Sequence, residues 1–162
     1  MRLYHGSNAI VDTPDIRHSR EHLDFGRGFY VTSIRDQAER WALRTAAVGG
    51  GDPIVNEYVL NGVPNTFRVL EFGEGDDRDW VEFVCSCRCG SNEYRQYDII
   101  HGGVADDKVY RAVDMYFRGY WDIDETLEAL KFYEKNDQWC FVSQKAITAL
   151  LTFAGSYQVM PS

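Results

Sequence analysis

The chain has 162 residues, 44% of them hydrophobic and 14% aromatic, with 25 acidic against 17 basic side chains and a net charge of -8. Such a length implies one domain able to hide roughly 70% of its unfolded surface, and the composition excludes the disordered and fibrous classes. The negative field opposes nonspecific nucleic-acid binding, which rests on lysine and arginine contacts to phosphate.

Residues 1–4 read as a strand running into a turn at His5-Gly6-Ser7, followed over residues 8–23 by an irregular connection that holds Pro14, His18 and His22. Residues 29–32 are a β-prone run launched from Gly26-Arg27-Gly28. In residues 36–47, DQAERWALRTAA, the helical spacing of Ala38, Trp41, Ala42 and Thr45 predicts a helix, with either Ser33 or Asp36 as cap and Gly49, Gly50 and Gly51 ending it. Alternation over residues 54–60 predicts a strand that Asn61-Gly62 turns into a hairpin with residues 66–72. Helices are expected over residues 80–89, 107–118 and 124–134, the last capped by Asp122 or Asp124, with short strands over 97–100 and 138–142 and a closing helix over 143–153. Interleaved strands and helices without strict βαβ order give an α+β (mixed α/β) class.

No stretch approaches the roughly 20 apolar residues of a membrane span, and MRLYHGSN lacks the apolar core of a signal peptide, so a cytoplasmic protein without a membrane partner is expected. Cys85, Cys87 and Cys89 stand too close for disulfide geometry, which wants Cα atoms about 5.5 Å apart, and a reducing compartment suits them. Zinc sites bring two separated cysteine pairs, whereas Cys140 is the sole remaining ligand here, so no metal is expected. Asp76-Asp77-Arg78-Asp79 and Asp106-Asp107 read as solvated faces or helix caps.

The chemistry concentrates on a few residues. Tyr30 and Trp41 are eleven residues apart, which lets a ring at a strand end and a ring on the following helix face each other across a slot. A flat cation fits such a slot, held by about 0.5–2 kcal/mol per face. His5 offers an imidazole nitrogen to a sugar hydroxyl, and Gly6 offers bare backbone to an amide.

YHGS followed by FGRGFYVTS resembles the nicotinamide-binding signature of the poly(ADP-ribose) polymerase and diphtheria-toxin branch of ADP-ribosyltransferases. Over nearly its full length the chain also resembles a bacterial family of short, single-domain ADP-ribosyltransferase-like proteins encoded beside a small partner as toxins. Four stretches in order carry this likeness: residues 24–30, 37–42, 97–107 and 136–141. The resemblance implies a split antiparallel β-sheet of the ADP-ribosyltransferase type, with inserted helices from roughly residue 80 to 134, and NAD as donor substrate. It implies that His5 holds a ribose hydroxyl, Gly6 the carboxamide, Ser7 the adenosine side, and Tyr30 and Trp41 the two faces of the nicotinamide. Gln138 takes the third place of the family triad, on the 2′-hydroxyl of the nicotinamide ribose. Arg17 and Arg20, ahead of Arg27, are the expected pyrophosphate donors.

The activity implied is NAD-dependent mono-ADP-ribosylation of a macromolecule by a bacterial toxin with a small antitoxin, net acidity favouring a protein acceptor over nucleic acid. The alternative is a catalytically inactive module that binds NAD or ADP-ribose. Two departures matter. A neutral amide at Gln138 stabilises developing oxocarbenium charge less than a glutamate does. It also cannot act as general base, so that help, about 10²–10⁴-fold, falls to Glu134 or Asp137 or is unnecessary for the acceptor. Replacing Gln138 by Glu is therefore expected to retain or raise NAD hydrolysis. Ala38 stands where the polymerases place a serine that bonds the carboxamide.

Overall fold

In the computed structural model, which describes residues 1–18, 23–131 and 136–161, the His-Gly-Ser stretch lies within a strand and not in a turn. Strand β1 (Arg2–Ser7) pairs antiparallel with β3 (Ile54–Leu60), placing His5 opposite Asn56 and Gly6 opposite Val55. The far edge of β3 pairs antiparallel with β7 (Leu151–Gln158). A second sheet has the order β2 (Phe29–Val31), β6 (Gln138–Phe141), β5 (Ile99–Gly102), β4 (Val69–Glu71). Its β4–β5 pair is parallel and the others are antiparallel. Reciprocal Tyr4–Thr32 backbone hydrogen bonds of 2.8 and 2.9 Å tie β1 to the end of β2 and so join the sheets.

Five helices complete a mixed α+β fold among the described residues: α1 (Arg35–Gly49), α2 (Asp77–Arg88), α3 (Asp107–Phe117), α4 (Ile123–Leu130) and α5 (Gln144–Leu150). Neither Ser33 nor Asp36 caps α1; its N-cap is Ile34, and the Ser33 hydroxyl is taken by Asp137 at 2.7 Å. Asp122 caps α4 in a reciprocal capping box with Glu125, which satisfies two orphan backbone donors. The expected extension of α4 to residue 134 falls partly outside the described residues.

Further expectations are corrected. Residues 54–72 form no hairpin, because both edges of β3 are already occupied by β1 and β7, and the chain passes Pro64 into the other sheet. The closing helix stops at Leu150, after which Leu151, Phe153 and Tyr157 turn inward while Thr152 and Ser156 stay exposed, the period of two that defines β7. The expected wholly antiparallel split sheet is likewise corrected, because β4–β5 is parallel, and the segment from roughly residue 80 to 134 carries β5 between its helices.

Two apolar clusters hold the layers together. Leu3, Val31, Tyr58, Ile99, Phe141 and Ile147 fill the space where the sheets meet α5. Phe25, Val81, Val84, Ile100, Val113 and Cys140 pack under α2 and α3. Each fully buried side chain of this size contributes about 1.5–3 kcal/mol. Among the described residues no helix is long and apolar enough to cross a membrane.

Candidate functional site

The site begins with the approach of α1 to β1. A Cβ on Gly6 would lie 2.1 Å from the Ala38 carbonyl oxygen and 2.6 Å from the Ala42 nitrogen. Only a residue without a side chain lets the helix settle there, with Ala38 and Ala42 fully buried against Val55. Helical spacing then turns Gln37, Trp41 and Thr45 to one side, where they form a wall of an open cleft of about 830 Å³. His5, Gly6 and Ser7 from β1, Tyr30 from β2 and Gln138 from β6 line the same cleft. Six of the eight sequence-predicted residues therefore converge.

His5 Nδ1 lies 2.7 Å from the Tyr30 carbonyl oxygen, an acceptor only, so Nδ1 carries the proton and Nε2 is the free acceptor. Burial lowers the His5 pKa, partly opposed by that backbone bond, and the ring stays neutral. The Tyr30 hydroxyl donates to the Gly26 carbonyl at 2.5 Å and accepts from the Phe25 N–H at 3.0 Å. Burial, with Cys140 adding to it, holds this phenol well above its ordinary range. Tyr30 thus offers a ring and no acid or base. Gly26, at φ 79°, fits beneath Tyr94, whose ring atoms would stand 2.3–2.5 Å from any Cβ there.

Gln138, 4% exposed, donates both amide hydrogens, to Asp24 Oδ2 and to the Gly103 carbonyl, each at 3.0 Å. Its Oε1 remains as an acceptor. Gln37, 3% exposed, donates to the Asp137 carbonyl at 2.7 Å, and its Oε1 is buried without a partner. An unpaired buried acceptor costs about 1–3 kcal/mol. The inner cleft therefore presents two acceptors, His5 Nε2 and Gln138 Oε1, beside two aromatic rings, with the buried Gln37 Oε1 in its wall.

The charged residues differ from expectation. Arg17 is exposed, bonded to Asp15 at 2.6 Å, and does not line the cleft; Arg20 lies outside the described residues. Arg27 donates to the Arg17 carbonyl at 3.2 Å and is also off the lining. Arg40 and Arg44, one helical turn apart on α1 beside Trp41, occupy the wall instead. Asp137 is not a cleft residue: it accepts from Thr32 Oγ1 at 2.7 Å and from the Ser33 N–H at 3.0 Å, and meets His101 Nε2 at 3.3 Å. Burial opposes its charge, yet the bonds from His101, Ser33 and Thr32 prevail and hold its pKa at about 2. Glu134 lies outside the described residues.

The family described as Protein of unknown function (DUF3990) matches residues 1–153. The chain belongs to that family. No curated protein and no solved structure matches it.

Sequence reasoning missed Asp24, Arg88, Gln37, Arg40 and Arg44 in this DUF3990 site. Asp24 and Gln37 stand inside two of the four stretches that carry the resemblance. The arginines on α1 are signalled by helical phase, since a cleft-facing Trp41 brings residues 40 and 44 to the same face.

Proposed function

We propose that the chain is an NAD-dependent mono-ADP-ribosyltransferase with an ADP-ribosyltransferase-type split sheet, as its motif resemblance implies. The observation that carries the reading is the convergence, in one cleft, of the neutral His5 acceptor, the Gln138 amide and the Tyr30 and Trp41 rings. Acceptors select ligands rich in hydrogen-bond donors, and ribose hydroxyls with a carboxamide NH₂ supply them. The rings accept the flat pyridinium face. The cleft volume of about 830 Å³ falls in the upper part of the range of small-molecule sites, about 300–1,000 Å³.

In this reading Arg40 and Arg44 receive the pyrophosphate, by charge-assisted hydrogen bonds. The bond from ribose C1′ to the nicotinamide nitrogen breaks, and its electron pair leaves with nicotinamide and neutralises the pyridinium. A heteroatom lone pair of the macromolecular acceptor closes on C1′, and the acceptor's proton goes to solvent. His5 Nε2 and Gln138 Oε1 hold the sugar while positive character grows at C1′. On the same reading the acceptor is a protein and the biological role that of a bacterial toxin held by an antitoxin.

Release of labelled nicotinamide from NAD tests this. His5→Ala and Tyr30→Ala are expected to abolish release; parental rates in both would overturn the assignment. Calorimetric NAD binding without release by the parent chain would favour the alternative of an inactive reader.

A further inference from the structure

Gln138 does not stand alone in the cleft floor. Both its amide hydrogens are committed, and one of them goes to a carboxylate that is itself 5% exposed. Asp24 Oδ2 accepts from Gln138 Nε2 at 3.0 Å and from the Ala105 N–H at 2.8 Å, while Oδ1 accepts from Arg88 Nε at 2.7 Å and from Arg88 Nη2. Arg88 in turn stacks on Tyr110, its guanidinium carbon 4.0 Å from the ring centre. Every oxygen of Asp24 is thus engaged, and its geometry is over-determined from α2, α3 and the segment after β5.

We infer that Asp24 is a positioning residue that makes glutamine, and not glutamate, the working side chain at position 138. The functional half of this rests on the NAD reading above; the coupling between the two residues does not. Asp24 Oδ2 and the Gly103 carbonyl accept only, so they demand a two-hydrogen donor, and that fixes the amide with Oε1 toward the cleft. A glutamate there faces a carboxylate at the present 3.0 Å separation and a carbonyl at the same distance: ionised, it loses both hydrogen bonds, and by taking up a proton it recovers only one of them and gives up its charge. The expectation that Gln138→Glu retains or raises NAD hydrolysis is reversed. The site's negative charge resides on Asp24, where Arg88 holds it.

A double-mutant cycle tests the inference: parent, Asp24→Asn, Gln138→Glu and the double variant, each followed by thermal unfolding and nicotinamide release. Gln138→Glu is expected to lower the melting temperature by at least about 5 °C and to leave less than roughly a tenth of parental release. In the double variant the amide introduced at position 24 donates to the new carboxylate while its oxygen keeps Arg88; the Ala105 N–H loses its acceptor, so the rescue is partial. That protein is expected to melt above Gln138→Glu and to lose less than the two single losses together. Should Gln138→Glu fail to fold, a double variant that does fold supports the coupling equally. Additive losses, or a Gln138→Glu protein as stable and active as the parent, would overturn the inference. A parent that releases no nicotinamide yet shows the thermal coupling overturns the NAD reading and leaves the Asp24–Gln138 pairing standing.

Discussion

Gly6→Ala tests the packing role that the structure adds to the carboxamide contact implied by the resemblance. The added methyl would sit 2.1 Å from the Ala38 oxygen, 2.6 Å from the Ala42 nitrogen and 2.9 Å from Trp41 Cβ, and the two nearest atoms are backbone. Side-chain rotation cannot relieve that contact, so α1 must retreat from β1 and open the seam that buries Ala38, Ala42, Val55 and Val159. Overpacking of this kind costs about 1–3 kcal/mol, and contact with backbone on both sides puts this case near the upper end. For a chain of this size about 3 kcal/mol corresponds to a loss of about 6–12 °C in melting temperature. The retreat also carries Trp41 away from Tyr30, and a misplacement of about 1 Å costs about 10²-fold in rate. Calorimetric melting and nicotinamide release measure the two effects separately. A variant that melts with the parent refutes the packing argument; one that melts early but turns over NAD at the parental rate refutes the role given to Trp41.

Two further outcomes are expected. His101 stacks on Trp139 with ring centres 4.0 Å apart and bridges Asp137 at 3.3 Å and Glu71 at 3.1 Å. Burial opposes its charge, but the two hydrogen-bonded carboxylates outweigh burial and raise its pKa. The stabilisation is therefore complete below the ordinary histidine value of about 6.5 and is lost as pH rises through the raised value, so melting temperature falls as pH rises above about 6.5. His101→Gln should flatten that slope, and an unchanged slope would refute the assignment. Exchange of both Arg40 and Arg44 for Ala should raise the KM for NAD by about tenfold or more, since hydrogen bonds to charged groups contribute about 1.5–3 kcal/mol. Arg17→Ala should leave KM unchanged, and the opposite pattern would return the pyrophosphate to the Arg17 side.

Local signals report well on what lies near them in sequence. The helical spacing that marks α1 also sets Trp41 toward the cleft, and the β-prone run at residues 29–31 does form the strand that carries Tyr30. Local signals mislead where hydrogen-bonding partners arrive from afar. His5-Gly6-Ser7 has turn composition, yet β3 supplies its backbone partners from about fifty positions away, and pairing overrides propensity. Asn61-Gly62 has hairpin composition, but a hairpin needs a free edge, and β7, from the other end of the chain, has taken it. The alternation of residues 151–158 is present in the sequence, but Ser143 and the apolar run after it fit a continuing helix as well as a strand.

The same distinction explains why the Asp24–Arg88 pairing is invisible in the sequence. Asp24 and Arg88 are separated by 64 positions, and Asp24 and Gln138 by 114, so nothing in their neighbours announces the pairing. Arg88 sits among closely spaced cysteines that draw attention first, while its guanidinium is held by Asp24 and by the Tyr110 face. This gives the inserted helices a function that their sequence does not disclose. α2 contributes Arg88, α3 contributes Tyr110, and the segment between β5 and α3 contributes the Gly103 carbonyl and the Ala105 N–H. The Gly103 carbonyl meets the Gln138 amide of β6 directly, and the other three act on it through Asp24. A neutral side chain at position 138 is then neither a relic nor a weakened glutamate: the surroundings are built around a donor, and the insertion supplies the surroundings.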